Sequence, residues 1–121
     1  MKSLAVIITT APNNHLTETA FQFISQSVDQ GMNVIGVFFY QVGVLNASEH
    51  LVIPSDESPL LPRWQELSQT TNIPLYLCST AAEKHGLLSE SNLELSHQAF
   101  TMAGLGELVE LHSKADRVVQ L

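Results

Sequence analysis

Cysteine occurs once in the 121 residues, at Cys78. A single thiol excludes a disulfide framework, a thiolate metal cluster and an intramolecular CxxC redox cycle. It also makes a reducing, intracellular compartment the expectation. Positive charge is scarce as well. Five Lys and Arg stand against 12 Asp and Glu, a formal net charge of −7. Such a chain should repel phosphate backbones, so no direct contact with nucleic acid is expected and a basic protein partner suits it better. Charged residues make up only 14% against 45% hydrophobic. Part of the surface must then be apolar, which leans towards an oligomer. Long hydrophobic runs are missing. The run Leu4 to Ile8 meets Thr9 and Thr10 at once, too early for a signal peptide, and nothing approaches membrane-spanning length. A cytoplasmic, soluble protein without membrane contact is expected. There is no Walker motif and no full dinucleotide fingerprint. No cofactor and no metal is expected.

What is present alternates between two periodicities. Leu4 to Ile8 and Val34 to Tyr40 are continuous apolar runs rich in branched residues, the pattern of strands buried on both faces of a parallel sheet. Between them Asn14 can cap a helix that Gly31 ends in the left-handed conformation. Leu16, Ala20, Phe23, Ile24 and Ser27 fall at helical spacing within it, as a core stripe. This strand-helix-strand unit should cross over right-handed. A possible helical turn follows within Gln41 to Ala47, then a polar stretch that carries Leu51 to Ile53, read as a tucked loop. Leu60, Leu61, Trp64 and Leu67 predict a second helix to about Gln69, with Pro62 in its first turn and Trp64 as a core anchor. Ile73 to Cys78 reads as a strand, followed by a short helix that Gly86 closes. Leu87 to His97 is polar and irregular. Ala99 to Ala103 is a fourth strand. Gly104-Leu105-Gly106 turns into a last helix with Leu105, Leu108, Val109 and His112 on one face, and Asp116 to Leu121 is a closing strand. The length suits one domain over residues 1–121. The expected fold is a three-layer α/β/α sandwich on a mainly parallel sheet of about five strands.

In such a sheet, ligands gather beyond the carboxyl ends of the strands. Four loops leave that edge: Thr9 to Asn14, Tyr40 to Asn46, Cys78 onward, and Gly104 to Gly106. Cys78 therefore stands where chemistry is expected, at a strand-to-helix junction that favours a thiolate. A buried cysteine acting as a small hydrophobe is the plainer reading of the same residue. His85 lies seven positions on, too far along one helix for a reliable hydrogen bond to the thiol. His15, His50, His97 and His112 are scattered. A lone thiolate suits group carriage between proteins, and a sulfane sulfur carried as a persulfide fits that task. Gly104-Leu105-Gly106 could bind an anion through backbone amides, but a lone GxG is better explained by turn geometry. A nucleotide pocket of flavodoxin type would need a phosphate-binding loop that the sequence lacks.

At these residues the chain resembles the DsrE-type sulfur-transfer proteins, and within them the TusD-like subunits of TusBCD sulfur-relay complexes. The resemblance runs over nearly the whole chain. It rests on Ala20 to Phe23, Val37 to Tyr40 with Gly43-Val44 and Asn46-Ala47, Trp64, Cys78 with Ala81-Ala82 and Gly86, Gly104 to Leu108, and Asp116 to Gln120. It implies a sulfurtransferase subunit, assembled with TusB-like and TusC-like subunits in a heterohexamer. Cys78 would take a persulfide sulfur from a TusA-like carrier and hand it to a TusE-like acceptor, towards 2-thiolation of the wobble uridine of tRNA. Ser79 and Thr80 would supply amides around Cys78, and Tyr40, Asn46 and Gly104 would line the pocket. Two alternatives share the fold: a non-catalytic assembly subunit with an inert Cys78, and a subunit of a DsrEFH-type complex in sulfur oxidation. The chain departs from the family pattern twice. Lys84 and His85 stand where the family has a basic pair, so a fixed charge near the thiolate would become partly pH-dependent. The segment between Gly86 and Phe100 is also shorter than in the family.

Overall fold

The computed structural model describes residues 2–48, 60–85 and 99–121. Five strands form one sheet: β1 (Ser3–Ile8), β2 (Asn33–Phe39), β3 (Leu75–Cys78), β4 (Phe100–Ala103) and β5 (Arg117–Gln120). Their order is β4-β3-β2-β1-β5, and every neighbouring pair is parallel. The helices are α1 (His15–Asp29), α2 (Leu60–Thr71), α3 (Ser79–Lys84) and α4 (Leu105–Lys114), with a 3-10 segment at Gln41–Ala47. The central strands are apolar on both faces because both faces are covered. Leu4 to Ile8 and Val37 to Phe39 are all buried.

Two side chains show how the layers lie. Trp64 of α2, fully buried, meets Phe21 of α1 edge-on at 4.8 Å and Phe39 of β2 at 5.1 Å. So α1 and α2 share the face to which Phe39 points. Gly36 is three residues earlier on β2 and points to the opposite face. There a side chain at Gly36 would meet Leu111 of α4 at 3.0 Å, so α4 covers the second face. The sandwich has the three layers expected, on a wholly parallel sheet.

Helix ends follow local chemistry. The Asn14 side chain accepts from the Leu16 N–H at 2.8 Å and caps α1. Gly31 has φ +84° just past its end, the left-handed position that glycine takes without strain. At α4 the Glu107 carboxylate reaches back to the Gly104 N–H at 2.8 Å, satisfying one helix-start donor.

Two helix faces differ from those expected. In α1 the buried stripe is Thr17, Ala20, Ile24 and Ser27, while Leu16 and Phe23 are exposed. Thr17 and Ser27 can go inside because the backbone takes up their hydroxyls, at Ala11 O and Phe23 O. In α4 the buried residue is Leu111, with Leu108 and Ala115 packed partly against the core. Leu105, Val109 and His112 face outward, because the helix turns Leu111 into the space that Gly36 leaves on the sheet. The second helix runs to Thr71, two residues past the expected end. The loop around Leu51 to Ile53, the segment Leu87 to His97 and Gly86 lie outside the described residues.

Candidate functional site

A parallel sheet sends every carboxyl end to one edge. At that edge Cys78 ends β3 in register with Ala103 of β4. Leu77 pairs with Phe39, so Tyr40 follows β2 beside Cys78. Cys78 is also the residue at which α3 begins, and is only 2% exposed. The helix has six residues, so few aligned peptide dipoles act on the thiol.

Beside Cys78 is a cavity of about 470 Å³. It is lined by Tyr40 and Gln41, by Thr80, Ala81 and Lys84 of α3, and by His85, the residue that caps the end of α3. Leu105, the first residue of α4, completes it. The lining contains one ammonium and one imidazole and no carboxylate among the described residues. His85 thus lines the same cavity as Cys78, although its spacing along one helix is too long for a reliable hydrogen bond to the thiol.

The other expected site residues divide. Tyr40 and Thr80 line the cavity with Cys78. Ser79 is half-buried as the first residue of α3. Gly104 precedes Leu105 at the start of α4, with extended backbone at φ −95°, so its conformation does not demand glycine. Asn46 is 1% exposed and lies behind the wall. Its carboxamide donates to Thr10 O at 3.1 Å and Gly43 O at 2.8 Å, and accepts from Trp64 Nε1 at 3.1 Å. Asn46 therefore ties the 3-10 segment to the β1 loop and to α2.

That segment is pinned at its other end too. Tyr40 N–H donates to Ile8 O at 2.9 Å, and Gly43 N–H to Tyr40 O at 2.9 Å. A β-carbon at Gly43 would stand 2.2 Å from Ile8 O, so only glycine permits this approach. Sequence reasoning missed Gln41 and Leu105 as lining residues. Their positions were the available signal, since each directly follows a carboxyl-edge strand or turn.

Fold and site together define a parallel α/β domain with one thiol in a cavity at the carboxyl edge of its sheet. The chain belongs to the DsrE/DsrF-like family, whose model matches residues 2–121. It is 40% identical over 109 residues to a sulfurtransferase TusD homolog of Vibrio vulnificus, covering 84% of this chain and 83% of that protein. It is 31% identical over 123 residues to the putative sulfurtransferase DsrE of Allochromatium vinosum, covering 95% of each. The crystal structure of the YchN protein of E. coli superposes with a TM-score of 0.83 at 20% identity, over 100% of both chains. That likeness concerns the fold. The names of the sequence relatives support a role in sulfur transfer. No helix among the described residues is long and apolar enough to cross a membrane.

Proposed function

We propose that the protein is a sulfur-carrier subunit with Cys78 as the persulfide site. The observation that carries this is the placement of the sole cysteine on a cavity lined by Lys84 and His85 and, among the described residues, by no carboxylate. The Cys78 thiolate attacks the outer sulfur of a donor persulfide. A new S–S bond forms at Cys78, the donor's S–S bond breaks, and the donor leaves as a thiolate. The transfer is an exchange, so no external oxidant or reductant is consumed. Handing the sulfur on repeats the step with an acceptor thiolate as nucleophile and Cys78 as leaving group.

The donor in this reading is a TusA-like carrier and the acceptor a TusE-like protein, with TusB-like and TusC-like subunits completing a heterohexamer. The pathway is 2-thiolation of the tRNA wobble uridine. Higher identity to the relatives named TusD homologs than to the one named DsrE supports this over sulfur oxidation. The charge of −7 suits a protein that moves sulfur without holding the tRNA.

The 2% exposure of Cys78 favours a second reading, an assembly subunit with an inert cysteine. Intact mass after incubation with a persulfide-loaded TusA-like carrier separates the two. The proposal expects one added sulfur atom, lost in Cys78→Ser and removed by dithiothreitol. Failure to gain sulfur from a loaded carrier, with TusB-like and TusC-like subunits present, overturns it.

A further inference from the structure

We infer that Gln41 is a binding residue for the travelling sulfur, a role that rests on the carrier reading of Cys78. Gln41 has φ +53°. Among the described residues only one other non-glycine has positive φ, Asn72. Asn72 stands directly after α2, its N–H bonded to Ser68 O. There a left-handed residue closes a helix, and asparagine tolerates that conformation well. Gln41 has neither excuse. It opens a 3-10 segment rather than ending a helix, and glutamine is not a side chain suited to the left-handed region.

The backbone imposes this conformation. Tyr40 is fixed to Ile8 O, Gly43 is pressed against the same carbonyl, and Asn46 holds the far end of the turn. Glycine at position 41 would meet the demand without strain. The chain carries a long carboxamide there instead, exposed to solvent and lining the cavity it shares with Cys78. Strain kept at a site wall is an observation from which function can be argued. The carboxamide offers what the cavity's basic groups do not. It is a group that stays uncharged and keeps both a donor and an acceptor at any pH, and it lines the same cavity as Lys84 and His85. Its N–H can donate to the anionic outer sulfur of a Cys78 persulfide, and its oxygen can accept from the S–H form. The substrate recognised is thus the terminal sulfur itself, in either protonation state. Gln41 assists the exchange described above and adds no covalent step.

The test compares three substitutions by the rate of sulfur gain on Cys78 from the persulfide-loaded TusA-like carrier, with melting temperature measured alongside. Gln41→Gly relieves the backbone and removes the amide. It should load about tenfold more slowly, the worth of one charge-assisted hydrogen bond, while melting no lower than wild type. Gln41→Asn keeps a carboxamide in a residue that tolerates the conformation, and should stay within about threefold of wild type. Gln41→Glu sets a carboxylate beside the anionic sulfur and should be slowest. A Gln41→Gly protein that loads at the wild-type rate overturns the inference and leaves the carrier reading intact. A wild-type protein that takes up no sulfur overturns both.

Discussion

Asn46 is a residue expected from the sequence to line the pocket, and its amide is structural in the fold. Its three hydrogen bonds join Thr10, Gly43 and the buried indole of Trp64. Asn46→Ala leaves the Trp64 N–H and two carbonyls without these bonds. An unsatisfied buried group costs about 1–3 kcal/mol, so a loss of about 2 kcal/mol or more is expected, read as a lower urea midpoint. Asn46→Asp should be worse, because it keeps the acceptor for Trp64 and sets a carboxylate against two carbonyl oxygens. Both variants should also slow sulfur loading through the wall that Tyr40 and Gln41 form. Cys78→Ser, by contrast, should abolish loading outright rather than slow it, whatever the buried hydroxyl does to the urea midpoint. This contrast separates a residue that builds the cavity from the one that reacts in it.

At the scale of elements, α4 gives the clearest test of packing. Leu111 is buried against Gly36 and Tyr76, whereas Val109 is 66% exposed. Leu111→Ala should cost about 2–4 kcal/mol, while Val109→Ala should cost under about 0.5 kcal/mol. Chemical denaturation of the two variants decides whether the face is assigned correctly. Sequence periodicity pointed to Val109 because it counts apolar residues and cannot see the gap that Gly36 leaves. In α1 it placed Ala20, Ile24 and Ser27 correctly but took Leu16 and Phe23 as core in place of Thr17, which is polar by type and satisfied by the Ala11 carbonyl. The strands were legible because burial on both faces leaves continuous runs such as Leu4 to Ile8, which need no choice of face. Cys78 was legible as a lone thiol at a strand end. Gln41 was not, because its significance lies in a backbone dihedral that the turn around Gly43 imposes.

For the whole molecule, the chain closes on itself where β5 pairs with β1. Ser3 and Asp116 lie 113 positions apart. The Asp116 carboxylate accepts from Ser3 N–H at 2.7 Å and Ser3 Oγ at 3.2 Å, and Ser3 Oγ accepts from Asp116 N–H at 2.9 Å. The backbone N–H of Ser3, then its hydroxyl, hold the Asp116 carboxyl below its ordinary value. A carboxyl whose pKa is lowered on folding stabilises the fold above its unfolded value of about 3.9, and that contribution is lost as pH falls through the folded value. Stability should therefore fall on acidification in this range, and Asp116→Asn should remove part of the slope, measured as urea midpoint against pH. Such distant pairing also makes the docking of β5 slow relative to that of the β1–β2 unit. The same closure fixes where attachments leave the molecule. Leu121 donates to Ile7 O at 2.9 Å, and its own carbonyl accepts from Thr9 N–H at 2.9 Å. It thus sits on the Cys78 rim, three strands or about 14 Å across the sheet from β3. Under the carrier reading, a fluorophore attached at Leu121 should report the arrival of the proposed sulfur donor, and a bulky group there should obstruct it. The same cargo attached ahead of Lys2 leaves from the opposite rim, about 20 Å away along β1, and stays clear of the exchange.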